Sequence, residues 1–442
     1  MSLKKKAVYL DSNAEAPLHP RVVEELQCLF LGSSPSAQQS TPPSELQGPS
    51  AYILANPSSI HSDGRAAKRL LSEARERVAY SMGGHAIDPE ELTFTSSGTE
   101  ANQMVIRSQL ERGLSRFEHP HWILSEAEHD SVLELVQWFE IRGGVVEKLP
   151  IDPSGQMNLD AETLQALLRP ETVLMSLIWV NNETGVINPM APAVEAIQKV
   201  SQEGVTYLHV DAAQAWGKIP VDVHALGADA VTFSGHKIGA PAGTGVVWLK
   251  PRRALDPLIF GNQEKGRRGG TENLFGIHLL GVAAAAIDVD RHQGIVKKWR
   301  DWLETEAIQQ IDGLTINGLQ APRVENTTHF SFEGLSGESL VLALDLAGFS
   351  VSSGSACSSG TLEPSHVLMA MGKTREEAMA AIRVSFCPWL LEGQSDETIE
   401  EDLKRFLQSL QKSVKRMRAV AEESQSRVHY GADIATESNV LF

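Results

Sequence analysis

Between about residues 65 and 250, short β-rich runs alternate with helical stretches, and that alternation constrains the fold more than any other feature of the chain. Leu92 to Thr95, His121 to Ser125, Val145 to Leu149, Thr172 to Val180, Tyr207 to Val210, Ala230 to Phe233 and Gly245 to Leu249 read as strands. Helical patterns separate most of them. Arg65 to Met82 places Ala66, Leu70, Ala74 and Val78 at four-residue steps, and Gly98 to Arg112, Ser131 to Ile141 and Ala193 to Glu203 follow. Strands alternating with helices build βαβ units, so the expected fold class is α/β, with a mostly parallel seven-stranded sheet covered on both faces. In such sheets ligands sit beyond the carboxyl ends of the strands.

After about residue 275 the pattern changes. A long helical stretch, Ile295 to Ile311, precedes short strands at Asn326 to Phe332, Phe349 to Ser352 and Ile382 to Phe386. A charged helix follows over Asp396 to Val420, which together suits a smaller α+β domain. Gly32 to Ser50 is rich in Ser, Pro and Gln with one charge, Glu45, and reads as an insert with too little apolar surface to order itself. The stretch from Tyr430 to Phe442 has no periodicity and reads as frayed.

The net charge of −17 opposes binding to nucleic acid or to an anionic membrane. No run of eighteen apolar residues spans a bilayer, and the basic start, Met1 to Lys6, is followed by no apolar signal core. Three cysteines, Cys28, Cys357 and Cys387, are too few and too scattered for a disulfide framework, which points to a reducing, cytoplasmic setting.

Polar clusters fall at the predicted strand ends. Thr95 to Glu100 joins a strand to a helix; Gly98 permits close backbone approach, and Thr99 with the helix N-terminus forms a phosphate cradle, with ordinary capping as the plain alternative. Asp211, directly after an apolar strand, suits a protonated ring nitrogen, and otherwise caps the next helix. Lys237, in Ser234-Gly235-His236-Lys237, stands where partial burial would fit it for Schiff-base chemistry, against a plain surface lysine. His129 can stack on a planar ring and exchange protons near neutral pH, although a lone histidine is more often structural. No histidine or cysteine spacing indicates a metal. Cys357 lies in a Ser/Gly run, Ser352 to Gly360, the setting of a reactive thiol, whereas Cys28 and Cys387 fit buried, inert positions. Arg383 suits a carboxylate clamp, with a surface ion pair as its alternative.

Taken in chain order these parts resemble a fold-type I pyridoxal-phosphate enzyme, and within that group a class V, group I cysteine desulfurase of the nitrogen-fixation and iron–sulfur-assembly kind. Further motifs carry the likeness: Tyr9-Leu10-Asp11, Asn56 to His61, Glu128-His129, Asn181 to Gly185, Asp211 to Gln214 and Arg268 to Asn273. The resemblance implies a large cofactor domain over 18–272 with an insert at 32–54, a small domain from 1–17 and 273–430, and a tail over 431–442. It implies pyridoxal 5'-phosphate held as a Schiff base by Lys237, with Asp211 on the pyridinium and His129 stacked on the ring. Gln214 and Asn182 would contact the phenolic oxygen. Gly98, Thr99, Ser234 and His236 would hold the phosphate, and Thr271 would reach it from the other subunit of a homodimer. Arg383 and Asn182 would hold the carboxylate of L-cysteine, and Cys357 would take the sulfur as a persulfide for an acceptor or iron–sulfur scaffold protein.

The chain departs from the family pattern in three places. Asn13-Ala14-Glu15-Ala16 stands for Ala-Ala-Thr-Thr, Gly239 to Gly243 lacks the usual aromatic and cation, and the insert precedes Asn56. Selenocysteine lyase, an aminotransferase of the same fold and a cofactor-less scaffold are the alternatives.

Overall fold

The structure, a computed structural model, describes residues 7–31, 55–200, 206–353 and 363–437; the insert expected at 32–54 and Cys357 lie outside the described residues. A two-residue strand β1 (Val8–Tyr9) precedes the main sheet. That sheet comprises β2 (Leu92–Thr95), β3 (His121–Ser125), β4 (Val145–Leu149), β5 (Thr172–Ile178), β6 (Tyr207–Asp211), β7 (Ala230–Ser234) and β8 (Gly245–Leu249). Its order is β2-β8-β7-β6-β5-β3-β4. Within it β8 alone runs against its neighbours, so the sheet is mostly parallel, as the strand–helix alternation predicts.

Every residue of β5 is buried, which suits its unbroken apolar run and its central place. Helices cover the sheet. Ser62–Tyr80 buries the Ala66, Ala74 and Val78 face that the four-residue spacing picks out. It lies so close to Leu274–Ala284 that a Cβ on Gly281 would come 2.8 Å from Cα of Ala74. Leu274, Ile277 and Leu280 thus share one core with the sheet, although the sequence places this helix beyond the boundary at 272.

The helix expected over Ser131 to Ile141 is two short pieces, Asp130–Leu133 and Leu135–Glu140. Glu134 has a shallow ψ of −15° between them, a local distortion that apolar periodicity does not register.

A second layer holds β9 (Leu314–Ile316), β10 (Thr327–Phe332), β11 (Phe349–Ser350), β12 (Ser352–Ser353) and β13 (Ala381–Ser385). An antiparallel sheet runs β12-β13-β10-β9, while β1 pairs in parallel with β11. Phe330, Phe332, Phe349 and Phe406 fill its core, together with Leu303 of the helix Val289–Gln310. The C-terminal helix is anchored there by Leu403, Phe406, Leu410 and Val414, and runs Asp396–Glu437, well past Val420. The described part of the expected frayed tail, 431–437, is helical, and no proline interrupts that stretch.

One connection decides the geometry of the site. Just beyond β1, Ser12 N donates to Ser385 O at 3.2 Å and Asn13 N donates to Ser385 Oγ at 2.9 Å. The N-terminal segment is thereby stitched to the end of β13 and carried across the mouth of the large sheet.

Candidate active site

The carboxyl ends of β2, β3, β6 and β7 lie on one edge of the large sheet and bring the expected residues together. Ser234 ends β7 against the start of the helix Gly98–Arg116, so closely that a Cβ on Gly98 would stand 3.0 Å from Ser234 Cβ. Ser97 caps that helix, its Oγ accepting from Glu100 N at 3.1 Å, and Thr99 is exposed beside it. The result is a concave, positively polarised helix start next to a serine hydroxyl, a cradle suited to an anion.

Lys237 and His236 sit in the tight turn Gly235–Ile238 that follows β7. Lys237 Nζ donates to the main-chain oxygens of Asn13 at 2.7 Å and Ala14 at 2.8 Å. Burial, and next the Arg383 charge, lower its pKa to about 8, against the opposing pull of Glu15, Asp11 and Asp211. It is therefore no plain surface lysine. Beside it, His236 Nδ1 lies 2.6 Å from Glu15 Oε2.

Asp211 ends β6 and is buried, its Oδ1 accepting from Ala213 N at 2.9 Å and its Oδ2 from Asn102 Nδ2 at 2.7 Å. Asn102 Nδ2 also donates to Ser131 Oγ at 2.8 Å. Ser131 in turn touches His129: its N donates to Nδ1 at 3.1 Å and its Oγ lies 2.9 Å from the same nitrogen. Because Nδ1 accepts from a backbone N–H it carries the lone pair, which leaves the ring proton of neutral His129 on Nε2. His129 is exposed and caps Asp130–Leu133, the structural role that a lone histidine suggests.

Arg383, in β13, is buried and donates to Asp11 Oδ1 and to the main-chain oxygen of Asn182, each at 2.9 Å. Its Nε–H has no partner among the described residues. Asn182 meets this network through its main chain, and that same oxygen accepts from Asn13 Nδ2 at 3.3 Å. Gln214 is buried, donates from Nε2 to Asn13 O at 3.0 Å and accepts from Lys218 Nζ at Oε1.

Thr271 is exposed on the loop after Arg268, whose Nε donates to Glu100 Oε1 at 3.0 Å. Cys387 is buried, which pushes its thiol up to about 12, as an inert thiol requires; Cys28 is half-buried where the apolar pattern expects burial. The described stem that follows the Cys357 segment is tied to the large sheet. His366 Nε2 lies 2.9 Å from Glu128 O, and Ser365 Oγ donates to the buried Glu183 carboxylate.

Asn13, Asn102, Lys218 and Ser131 escape sequence reasoning. Asn13 showed only as a departure from the family pattern, and Asn102 only as an amide one turn after Gly98, on a face it shares with Val105 and Ile106. Lys218 donates to Asn13 Oδ1 at 2.7 Å, and burial with the nearby Lys237 charge lowers its pKa well below that of an ordinary lysine.

The donor set fits pyridoxal phosphate. A helix start and a serine suit the phosphate, a buried carboxylate suits a ring N–H, and an amine of lowered pKa suits the aldehyde. The cradle is narrow enough that a side chain on Gly98 would fill it.

The sequence matches the aminotransferase class-V family over residues 8–393. It is 37% identical over 396 residues to the cysteine desulfurase of Trichormus azollae, covering 89% of this chain and 91% of that protein. With the cysteine desulfurase IscS of Dictyoglomus turgidum it shares 35% identity over 424 residues, 95% of this chain and 98% of the relative. Among solved structures, a NifS-like protein superposes with a TM-score of 0.77 at 30% identity, covering 91% of this chain and 99% of the other. DndA from Streptomyces lividans superposes with a TM-score of 0.62 at 34% identity, covering 76% and 95%. The chain therefore belongs to the aminotransferase class-V family, among its cysteine desulfurases.

Proposed function

We propose that the chain converts L-cysteine to L-alanine and moves the sulfur onto Cys357, which then delivers it for iron–sulfur cluster or other cofactor assembly. The cysteine Cβ–S bond breaks, an S–S bond to Cys357 forms, and a proton takes sulfur's place on Cβ. Alanine and one persulfide thus balance one cysteine and one thiol.

The family depends on pyridoxal phosphate, and the observation that carries the reading is the Lys237 amine, caged by the carbonyls of Asn13 and Ala14 on the same sheet edge as the buried Asp211. When bound, that group supplies a sink for the electrons of the substrate α-carbon. Gly98, Thr99, Ser234 and His236 would hold its phosphate, Asp211 would keep its ring nitrogen protonated, and Gln214 and Asn182 would meet its phenolic oxygen. Thr271 completes the phosphate site of the partner in a homodimer.

Arg383 orients the substrate carboxylate with its guanidinium. Lys237 Nζ, freed as a base, takes and returns the α-proton. His129 serves from Nε2, since Nδ1 is engaged by Ser131. The pull of Ser365 on Glu183 and of His366 on Glu128 ties the base of the sulfur-accepting segment to the residue next to His129.

The test is an alanine and persulfide assay with L-cysteine. Wild type yields alanine and a persulfide in equal amounts in the first turnover, and Cys357→Ala takes up cofactor but yields neither. Consumption of L-cysteine without alanine or persulfide, undiminished in Cys357→Ala, would favour an aminotransferase, and a strong preference for selenocysteine would favour a lyase.

A further inference from the structure

Residues 13 to 15 lie across the reacting amine and its neighbour. The carbonyls of Asn13 and Ala14 take Lys237 Nζ, and the next side chain, Glu15, takes His236 Nδ1 at 2.6 Å. The backbone there is fixed: Tyr9 OH donates to Glu15 O at 2.6 Å, and Ala16 N donates to His236 O at 3.2 Å. Glu15 is the first residue after the lysine cage, and its side chain is 54% exposed, so solvent supports its charge.

We propose that Glu15 sets the affinity of the chain for the cofactor phosphate, acting as a built-in anion on the histidine that the phosphate uses. The proposal rests on the cofactor reading above. A phosphate monoester carries about −1.5 to −2 charge near neutral pH. Nδ1 has one N–H, so a phosphate oxygen there must displace the carboxylate. At Nε2 the phosphate leaves Glu15 in place, but a neutral ring whose one N–H is held on Nδ1 by Glu15 then offers it only a lone pair, and a charged ring divides one charge between two anions. Either arrangement weakens the hold on phosphate relative to a chain with a neutral residue at 15.

Other groups near the pair do not cancel this. Lys237 disfavours a charged His236, as does burial, and His129 acts in the same direction; Glu15 opposes them. The carboxylate therefore competes for a ring that its surroundings already make reluctant to charge.

The experiment uses the full chain stripped of cofactor and titrates it with pyridoxal phosphate and, separately, with pyridoxal, which has no phosphate. Absorbance of the lysine-bound chromophore and tryptophan fluorescence report binding. Glu15→Gln and Glu15→Thr are expected to bind pyridoxal phosphate about tenfold more tightly than wild type, the loss of one charge-assisted contact's worth of competition. Pyridoxal affinity shifts far less, since there Glu15 acts only through its charge on Lys237. An unchanged ratio of the two affinities overturns the proposal, as does weaker phosphate-form binding in both variants, which would make Glu15 a prop for His236. Wild type that takes up neither compound overturns the cofactor reading itself, and the proposal with it.

Discussion

Lys218 and Lys237 donate to opposite ends of one residue: Lys218 Nζ to the side-chain oxygen of Asn13 and Lys237 Nζ to its main-chain oxygen, each at 2.7 Å. Asn326 Nδ2 adds a bond to the same side-chain oxygen at 3.1 Å, and Asn13 Nδ2 reaches Thr327 Oγ1 at 2.9 Å. Asn13→Ala strips the side-chain partners Lys218, Asn326 and Thr327 at once and leaves the buried Lys218 amine with Gln214 Oε1 alone. The expected loss is about 2–3 kcal/mol in urea unfolding, with Lys218→Met costing less because it removes the desolvated amine as well. Equal stability of Asn13→Ala and wild type would refute the network.

Attack by Lys237 on an aldehyde needs the free amine, and its pKa of about 8 sets where that form prevails. Below that value protonation silences the amine, so the rate of pyridoxal phosphate attachment to stripped chain should climb with pH through about 8 and level above it. Stopped-flow absorbance between pH 6.5 and 9.5 measures this. A rate still rising steeply at pH 9.5 would show an ordinary lysine.

Glu128 is buried, and burial followed by the Asp211 charge raises its pKa well above the ordinary carboxyl value. One oxygen accepts from Ile178 N at 2.6 Å and the other has no partner among the described residues. A carboxyl whose folded pKa is raised contributes stability at low pH and loses it as pH rises through that value. Glu128→Gln keeps an acceptor and has no charge to lose. It should therefore gain about 1–2 kcal/mol over wild type at pH 8 and nothing below about pH 4, read by urea unfolding at both. A gain of equal size at both pH values would exclude the titration.

Asp211→Asn keeps the size of the side chain and the acceptor for Ala213 N but removes the charge from the proposed ring contact. Alanine production should fall at least about a hundredfold while the chain stays folded. Asn102→Ala, which releases both Asp211 and Ser131, should fall less, by about tenfold. Steady-state kcat for the two variants orders them, and an Asp211→Asn enzyme as fast as wild type would remove this residue from the chemistry.

The parallel sheet was legible because its strands are short apolar runs between helical patterns, and β5 and β6 fall within a residue or two of expectation. Lys237, Asp211 and Ser234 could be found because a polar residue directly after an apolar strand marks the ligand edge of such a sheet. Asn13 and Lys218 could not. Each acts through partners far away in sequence, and neither Asn-Ala nor Gly-Lys signals a contact across the mouth of a sheet. The ion pair of Arg383 with Asp11 depends in the same way on β13 reaching the N-terminal segment. The break at Glu134 was hidden because Ser131 to Ile141 keeps helical spacing on both sides of it.

The stitch between Asn13 and Ser385 also sets a timetable. The two residues stand 372 positions apart, and the carbonyls that hold Lys237 are placed by that contact. On a ribosome adding about 5–20 residues per second, roughly 20–70 s separate the making of the two ends. Over the last part of it, roughly 7–30 s from Lys237 to Ser385, the lysine after β7 can already be folded onto its sheet while its cage is still open. The Lys237 enclosure is thus completed among the last events of synthesis, and a nascent chain interrupted before Ser385 carries the lysine without the carbonyls that hold it.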